Sequence, residues 1–261
     1  MKKTWRIPVA IALALIVLGG AIGLGAWIMG ADSSFEWVGG WRGIRPAESG
    51  REIDLVLSDE FDQIDLRLGV SNVTVQHGSE WRVTGRVRAQ VNIETAGGVL
   101  FIEEPTQRRN NFNIGINSTN YFVTITVPRD VTLDTLSLDV GVGRVDVQDI
   151  ESLAAYLSTG VGNVSVRNVD FQGAILSTGV GNVYADGSFE GRADFTSGTG
   201  NVSLTFPGAR ADYSYTMSSG VGNTTVNGNR ESGSVSRNTA GAIANIHAST
   251  GVGNVRVDFR G

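Results

Sequence analysis

Two patterns of hydrophobic and polar positions divide the chain. The first is unbroken: the 25 residues from Ile7 to Ala31 carry no charge, and Val9 to Leu18 is apolar on every helical face. A helix rises about 1.5 Å per residue and needs about 20 such residues to cross a bilayer core. The second pattern begins near residue 51 and alternates apolar with polar in short runs ending in turn residues. That is the signature of strands with one buried face. In Leu157-Ser-Thr-Gly-Val-Gly-Asn-Val-Ser-Val166, Leu157, Thr159, Val164 and Val166 point inward, while Ser158 and Ser165 point out.

This ten-residue unit recurs at 176–185, 195–204, 217–226 and 248–257, with diverged copies at 66–75 and 138–147. The first glycines of the six later copies are Gly141, Gly160, Gly179, Gly198, Gly220 and Gly251, spaced 19, 19, 19, 22 and 31 residues apart. Asn72, Asn163, Asn182, Asn201, Asn223 and Asn254 occupy one position of the unit, and Arg144 breaks that series. Gly and Asn adopt positive φ at low cost, so each copy reads as strand, tight corner, strand and return. One such rung cannot offset its own ordering entropy, so rungs must stack. The predicted fold is all-β, a single-stranded, β-helix-like β-solenoid of ~19-residue rungs, preceded by one N-terminal transmembrane helix. Leu157, Leu176, Phe195 and Met217 should form one inner column, and Val145, Val164, Val183 and Val202 another.

Residues 51–135 carry the same alternation with the unit eroded, at Glu52–Leu57, Gln63–Leu68, Trp81–Arg88, Val99–Glu103 and Tyr121–Val127. The 72 residues between Gly69 and Gly141 have room for about four rungs. Residues 1–31 read as a cytoplasmic stub and anchor, 32–50 as a tether with Gly39, Gly40, Gly43 and Pro46, and 51–261 as the solenoid. The chain stops four residues after Val257. The long insertion Asn227–His247 is therefore expected to cap the last rung.

Charge adds an orientation. Lys2, Lys3 and Arg6 precede the apolar stretch, and beyond residue 31 there is no lysine, only 18 Arg against 26 acids, a net of −8. Positive flanks stay in the cytoplasm. The expected localisation is the cytoplasmic membrane, single-pass, with the solenoid outside. A cleaved signal peptide fits less well, because its apolar region is usually shorter and Leu24 or Met29 would stand three residues before the cut. An acidic domain is a poor partner for nucleic acid. The chain has no cysteine, which excludes disulfides, thiolate metal sites and a lipidated cysteine.

Little in the repeat points to catalysis. The asparagines read as a ladder of stacked amides. The calcium-binding nonapeptide needs an aspartate two residues after its second glycine, where these copies have Val or Thr, and a phosphate loop needs a lysine and a helix. Asp139 is followed in its column by Ser158 and Ser177, and Asp146 by Ser165 and Tyr184, so acids do not cluster across rungs. His77 and His247 have no ligand partner at useful spacing. The expectation is no catalytic residue, no metal, no cofactor and no enzyme. The outward hydroxyls Ser158, Ser177, Thr196, Ser218 and Ser249 form a candidate binding face, for glycan or even ice.

An anchor followed by L-x-x-G-V-G-N/D-V-x-V rungs resembles the bacterial "putative adhesin" family, a domain of unknown function. The similarity covers roughly residues 50–261, and Gly160–Val166, Gly179–Ala185 and Gly251–Val257 carry it best. The resemblance implies an envelope-exposed β-solenoid with no family catalytic residue, and some relatives look like accessories of envelope-stress systems. Two functions follow as expectations. One is a non-enzymatic envelope binding or scaffold module facing glycan or protein. The other is an accessory or regulator of an envelope-stress response that acts through membrane-protein partners. The charge asymmetry makes a direct prediction: a reporter fused after Gly261 should be active only outside the cytoplasm, and cytoplasmic activity would reverse the orientation.

Overall fold

The computed structural model describes residues 50–88, 90–105, 121–231 and 234–261. The predicted anchor and nearly all of the tether lie outside them. Among the described residues no helix is long and apolar enough to cross a membrane. Apart from a 3-10 turn at Arg210–Asp212, the regular structure is strand.

Each copy of the unit bends into two strands at its Gly-x-Gly corner, as in Glu151–Val161 and Val164–Phe171. First strands pair in parallel with first strands, and second with second, so two parallel sheets climb one stack. Leu157 lies between Leu138 and Leu176, and Val164 between Val145 and Val183. These inner positions are fully buried. At the far end of the second strands, Phe171, Phe189, Phe206 and Phe259 follow one another with ring centroids 5.6–5.9 Å apart.

The corner shows why the unit needs both glycines. Gly162 has φ +149°, and a Cβ there would lie 1.7 Å from the Gly143 carbonyl oxygen of the next rung. At Gly160 the corresponding distance, to Gly141, is 2.7 Å. The backbones therefore meet where no side chain fits. The inward hydroxyl just before the corner ties the rungs together: Thr159 donates to the Gly143 carbonyl, Thr178 to Gly162, Ser197 to Gly181 and Thr250 to Gly200, at 2.8–3.2 Å. This explains the recurrent Ser or Thr before the first glycine. A buried hydroxyl needs an acceptor, and the bare carbonyl supplies one.

The stack does not follow chain order at either end. At the start, Gln63–Val70 and Asn72–Gly78 pair directly with Leu133–Val142 and Val145–Gln148. The expected four rungs between them are one, formed by Val99–Glu103 and Phe122–Pro128, and it lies on the outer side. The rest turns back: Asn92–Ala96 pairs antiparallel with Val99–Glu103, Arg82–Val87 with Phe122–Pro128, and Arg51–Val56 with Arg82–Val87. Alternation alone does not distinguish a parallel rung from a hairpin. The local signal was Gly97-Gly98, at φ +60° and +80°, a two-residue hairpin turn.

At the other end the rung of Gly198 (Gly191–Thr199, Val202–Pro207) pairs with the last copy (Ala244–Val252, Val255–Arg260), not with the rung of Gly220. The Gly220 rung (Tyr213–Val221, Thr224–Val226) sits outside the last copy. Ala248 therefore stands between Phe195 and Met217 in the inner column. The C-terminal rung is not an open end, and the insertion does not cap it. Instead Asn229–Glu231 and Val235–Arg237 pair antiparallel with the Gly220 rung, while Ala244 opens the last rung. The spacings explain the detour. Three residues beyond the period, with the turn at Arg210–Asp212, let the chain climb two rungs, and the spacing of 31 brings it back.

Ser165 is a second correction: it is 5 % exposed and its hydroxyl has no partner. Asp146 and Tyr184, its register neighbours on either side, flank it on the outer surface. The corner makes a controlled prediction. Gly162→Ala should prevent folding, whereas Gly228→Ala, at φ +77° with nothing within 4 Å, should cost about 1 kcal/mol. Urea midpoints of the two variants check it, and equal shifts would refute the steric account.

Candidate interaction surface

The outer face of the first-strand sheet carries the predicted hydroxyls in one row. Register places them in the order Ser158, Ser177, Thr196, Ser249, Ser218, with the last two exchanged relative to the chain. Asp139 extends the row, and its carboxylate accepts a 2.5 Å hydrogen bond from Ser158. Two residues further from the corner, Tyr156 and Ile175 are register neighbours and are 49 % and 45 % exposed.

The asparagines form a ladder in the same spatial order. Asn182 donates to the Asn163 side-chain oxygen through both its backbone and its amide, at 2.8 and 3.2 Å. Asn201 does the same to Asn182, and Asn254 to Asn201. Asn223 makes the last link by donating its backbone N–H to the Asn254 side-chain oxygen. At the other end Asn72 accepts from the backbone of Arg144, whose side chain has no carbonyl to continue the series. The amides thus hold the corners of adjacent rungs to each other.

Between the two glycines of each corner, or between Gly69 and Ser71 in the first copy, stands a residue that sequence reasoning passed over as turn filler. Val70, Val142, Val161, Val180, Thr199, Val252 and Val221 are register partners in that order. The six valines are 37–67 % exposed. At a strand separation of about 4.8 Å, seven rungs make an apolar ridge about 29 Å long. Its neighbours along each strand are glycines, except for Ser71 after Val70, so little shields it. The signal was present in the sequence: a β-branched residue between two glycines has no core to enter.

A further concave feature lies at the N-terminal end of the stack. An open trough of about 530 Å³ runs between Arg51–Val56 and Asn92–Ile93, with Ile53, Leu55, Val91 and Ile93 supplying its apolar lining. Each of those strands is paired on one edge only among the described residues. The Arg82 guanidinium, hydrogen-bonded to both oxygens of Asp54, holds that carboxyl below the usual carboxylate range. Among the described residues no three His, Asp or Glu side chains gather in a way that could hold a metal ion. The surface offers shape, hydroxyls and exposed methyls.

Residues 61–190 match the family model described as Toastrack DUF4097. A putative cell adhesion protein from Clostridium sporogenes has a similar fold, with a TM-score of 0.55 at 16 % identity, over 81 % of this chain and 100 % of that one. A putative adhesin from Bacteroides fragilis matches at a TM-score of 0.36 and 17 % identity, over 82 % of this chain and 100 % of that one. A putative lipid binding protein from Parabacteroides distasonis matches at 0.37 and 13 %, over 82 % and 97 %. No curated protein matches in sequence.

The two surface features differ in energetic role. Asn182→Ala removes amide links to both neighbouring rungs and should cost about 1–2 kcal/mol, whereas Val161→Ser at the exposed corner should cost under about 0.5 kcal/mol. Thermal denaturation separates them. A larger loss for Val161→Ser would mean that the ridge is part of the core.

Proposed function

We propose, for a chain that belongs through residues 61–190 to the Toastrack DUF4097 family, a non-enzymatic role as a binding or scaffold module of the cell envelope. It is displayed outside the cytoplasmic membrane on the N-terminal anchor. The observation that supports this reading most directly is ordered display. A hydroxyl row and a valine ridge run side by side at one residue per rung, on a scaffold whose corners cannot move apart independently. Such a surface suits an extended ligand that meets the same chemistry at every step, as an envelope glycan does. The adhesion-like description of the Clostridium protein points the same way.

A second reading has one observation of its own. The trough and its two half-paired strands can accept an added strand from a protein partner, and Arg51–Val56 follows directly on the tether. This fits an accessory of an envelope-stress response that contacts membrane proteins.

The test uses residues 50–261, since the Clostridium chain folds as a whole over a comparable span. The isolated solenoid should sediment with purified cell wall, and the triple variant Val142→Ser, Val161→Ser, Val180→Ser should lose most of that binding while keeping its melting temperature. Wall binding unchanged in the triple variant would overturn the ridge as the contact. Binding only to membrane proteins, abolished by Leu55→Lys with Val56→Lys, would favour the second reading.

A further inference from the structure

The C-terminal rung lies in a slot. The Gly198 rung forms one wall and the Gly220 rung the other, and residues 244–260 pair in parallel with both walls in both sheets. The slot is specific in shape. Its inner column passes from Phe195 to Met217, both fully buried, and the rung between them supplies Ala248. Other rungs carry Leu, Ile, Phe or Met at that position, which would overfill the gap. Phe259 meets the rings of Phe206, Tyr213 and Tyr215 at 5.2–6.0 Å. The Asn227 side-chain oxygen accepts the Phe259 N–H at 2.8 Å, and Arg260 reaches Asp186 at 3.1 Å.

The same rung is weakly tethered. On its N-terminal side it is joined to the stack through residues 227–243, whose regular structure among the described residues is two three-residue strands. Until it enters, each wall presents a parallel strand edge in both sheets, a template for pairing. A matching rung from another molecule makes the same contacts there as the chain's own, so exchange loses no interaction outside the linker.

We propose that this slot is a binding site for residues 244–261 of a second copy of the chain, and that two copies join by exchanging their C-terminal rungs. The partner is set by Ala248, which no other described rung carries between its neighbours in that column, while Phe259 adds its ring contacts to Tyr213 and Tyr215. This assembly is independent of what the hydroxyl row and the valine ridge bind.

The chain has no cysteine, so a crosslink can report the exchange without background from native thiols. Ser203 and Arg256 are register partners across the slot wall, at outward positions. Residues 50–261 are prepared as two differently tagged chains, one with Ser203→Cys and one with Arg256→Cys. They are mixed unfolded and refolded together at high concentration in air. Exchange should give a disulfide-linked heterodimer in a several-fold larger yield than refolding at high dilution. The yield should also exceed that of a control mixture of Ser203→Cys and Asp146→Cys chains by a similar factor. A dimer peak on size exclusion should accompany it and persist after dilution. Heterodimer no more abundant than in the control mixture, or monomer at every concentration, would overturn the proposal.

Discussion

At every corner of this protein, backbone rests on backbone. The second glycine of one rung lies so close to the carbonyl of the next that a Cβ would come within 1.7–1.8 Å of it, from Gly143 through Gly253. No other residue type satisfies that contact, and it fixes the height of each rung against its neighbour. The inner columns, the hydroxyls that donate to glycine carbonyls and the asparagine ladder are consequences of this one register. So is the ridge. A valine between two residues without side chains, on the convex side of a bend, can neither reach the core nor be covered by its own strand. The steric demand that orders the stack therefore also exposes an ordered apolar line.

A stack closed by repetition still has two ends, and open parallel edges invite association. Both ends of this one are treated alike. At the C-terminal end the chain skips a rung position, builds the outermost rung, covers its edges with antiparallel strands and returns to fill the gap, and at the N-terminal end the same arrangement is traced in the opposite chain direction. Interleaving converts neighbours in space into distant parts of the sequence. Leu66 pairs with Leu138, and Phe195 with Ala248. It ties each end down by more than the last strand's own pairing, at the cost of a late step: the rung that fills the gap cannot enter until its outer wall exists. The price of closure is a slot, and the slot defines what fits it.

Function on such a scaffold lies in what the rungs repeat. The core positions and the corner are dictated by packing, which leaves the outward row, the ridge and the capped ends free to carry recognition. The row and the ridge present the same groups at each step and suit a partner with its own repeat. The N-terminal trough has individual residues and half-paired strands, and suits a single peptide strand. The two surfaces are chemically distinct, so occupancy of one does not preclude the other.

The sequence by itself determined the rung. Period-two alternation marked the inward residues, and the constant spacing of 19 with its Gly-x-Gly-Asn corner showed that rungs stack and placed Leu157 beside Leu176 and Val164 beside Val183. These features are local, read within one period. It also held, unread, the hairpin at Gly97-Gly98 and the exposed corner valines, because a turn was taken as a turn without asking where its apolar residue would go. Only the tertiary structure decided the order of the rungs. Near-identical units pair with one another almost equally well through their backbones, so nothing local distinguishes stacking on the previous rung from stacking two rungs away. That choice falls to side-chain volume and ring contact between residues far apart in the chain: Ala248 between Phe195 and Met217, and Phe259 among Phe206, Tyr213 and Tyr215. Those contacts exist only once the stack has formed.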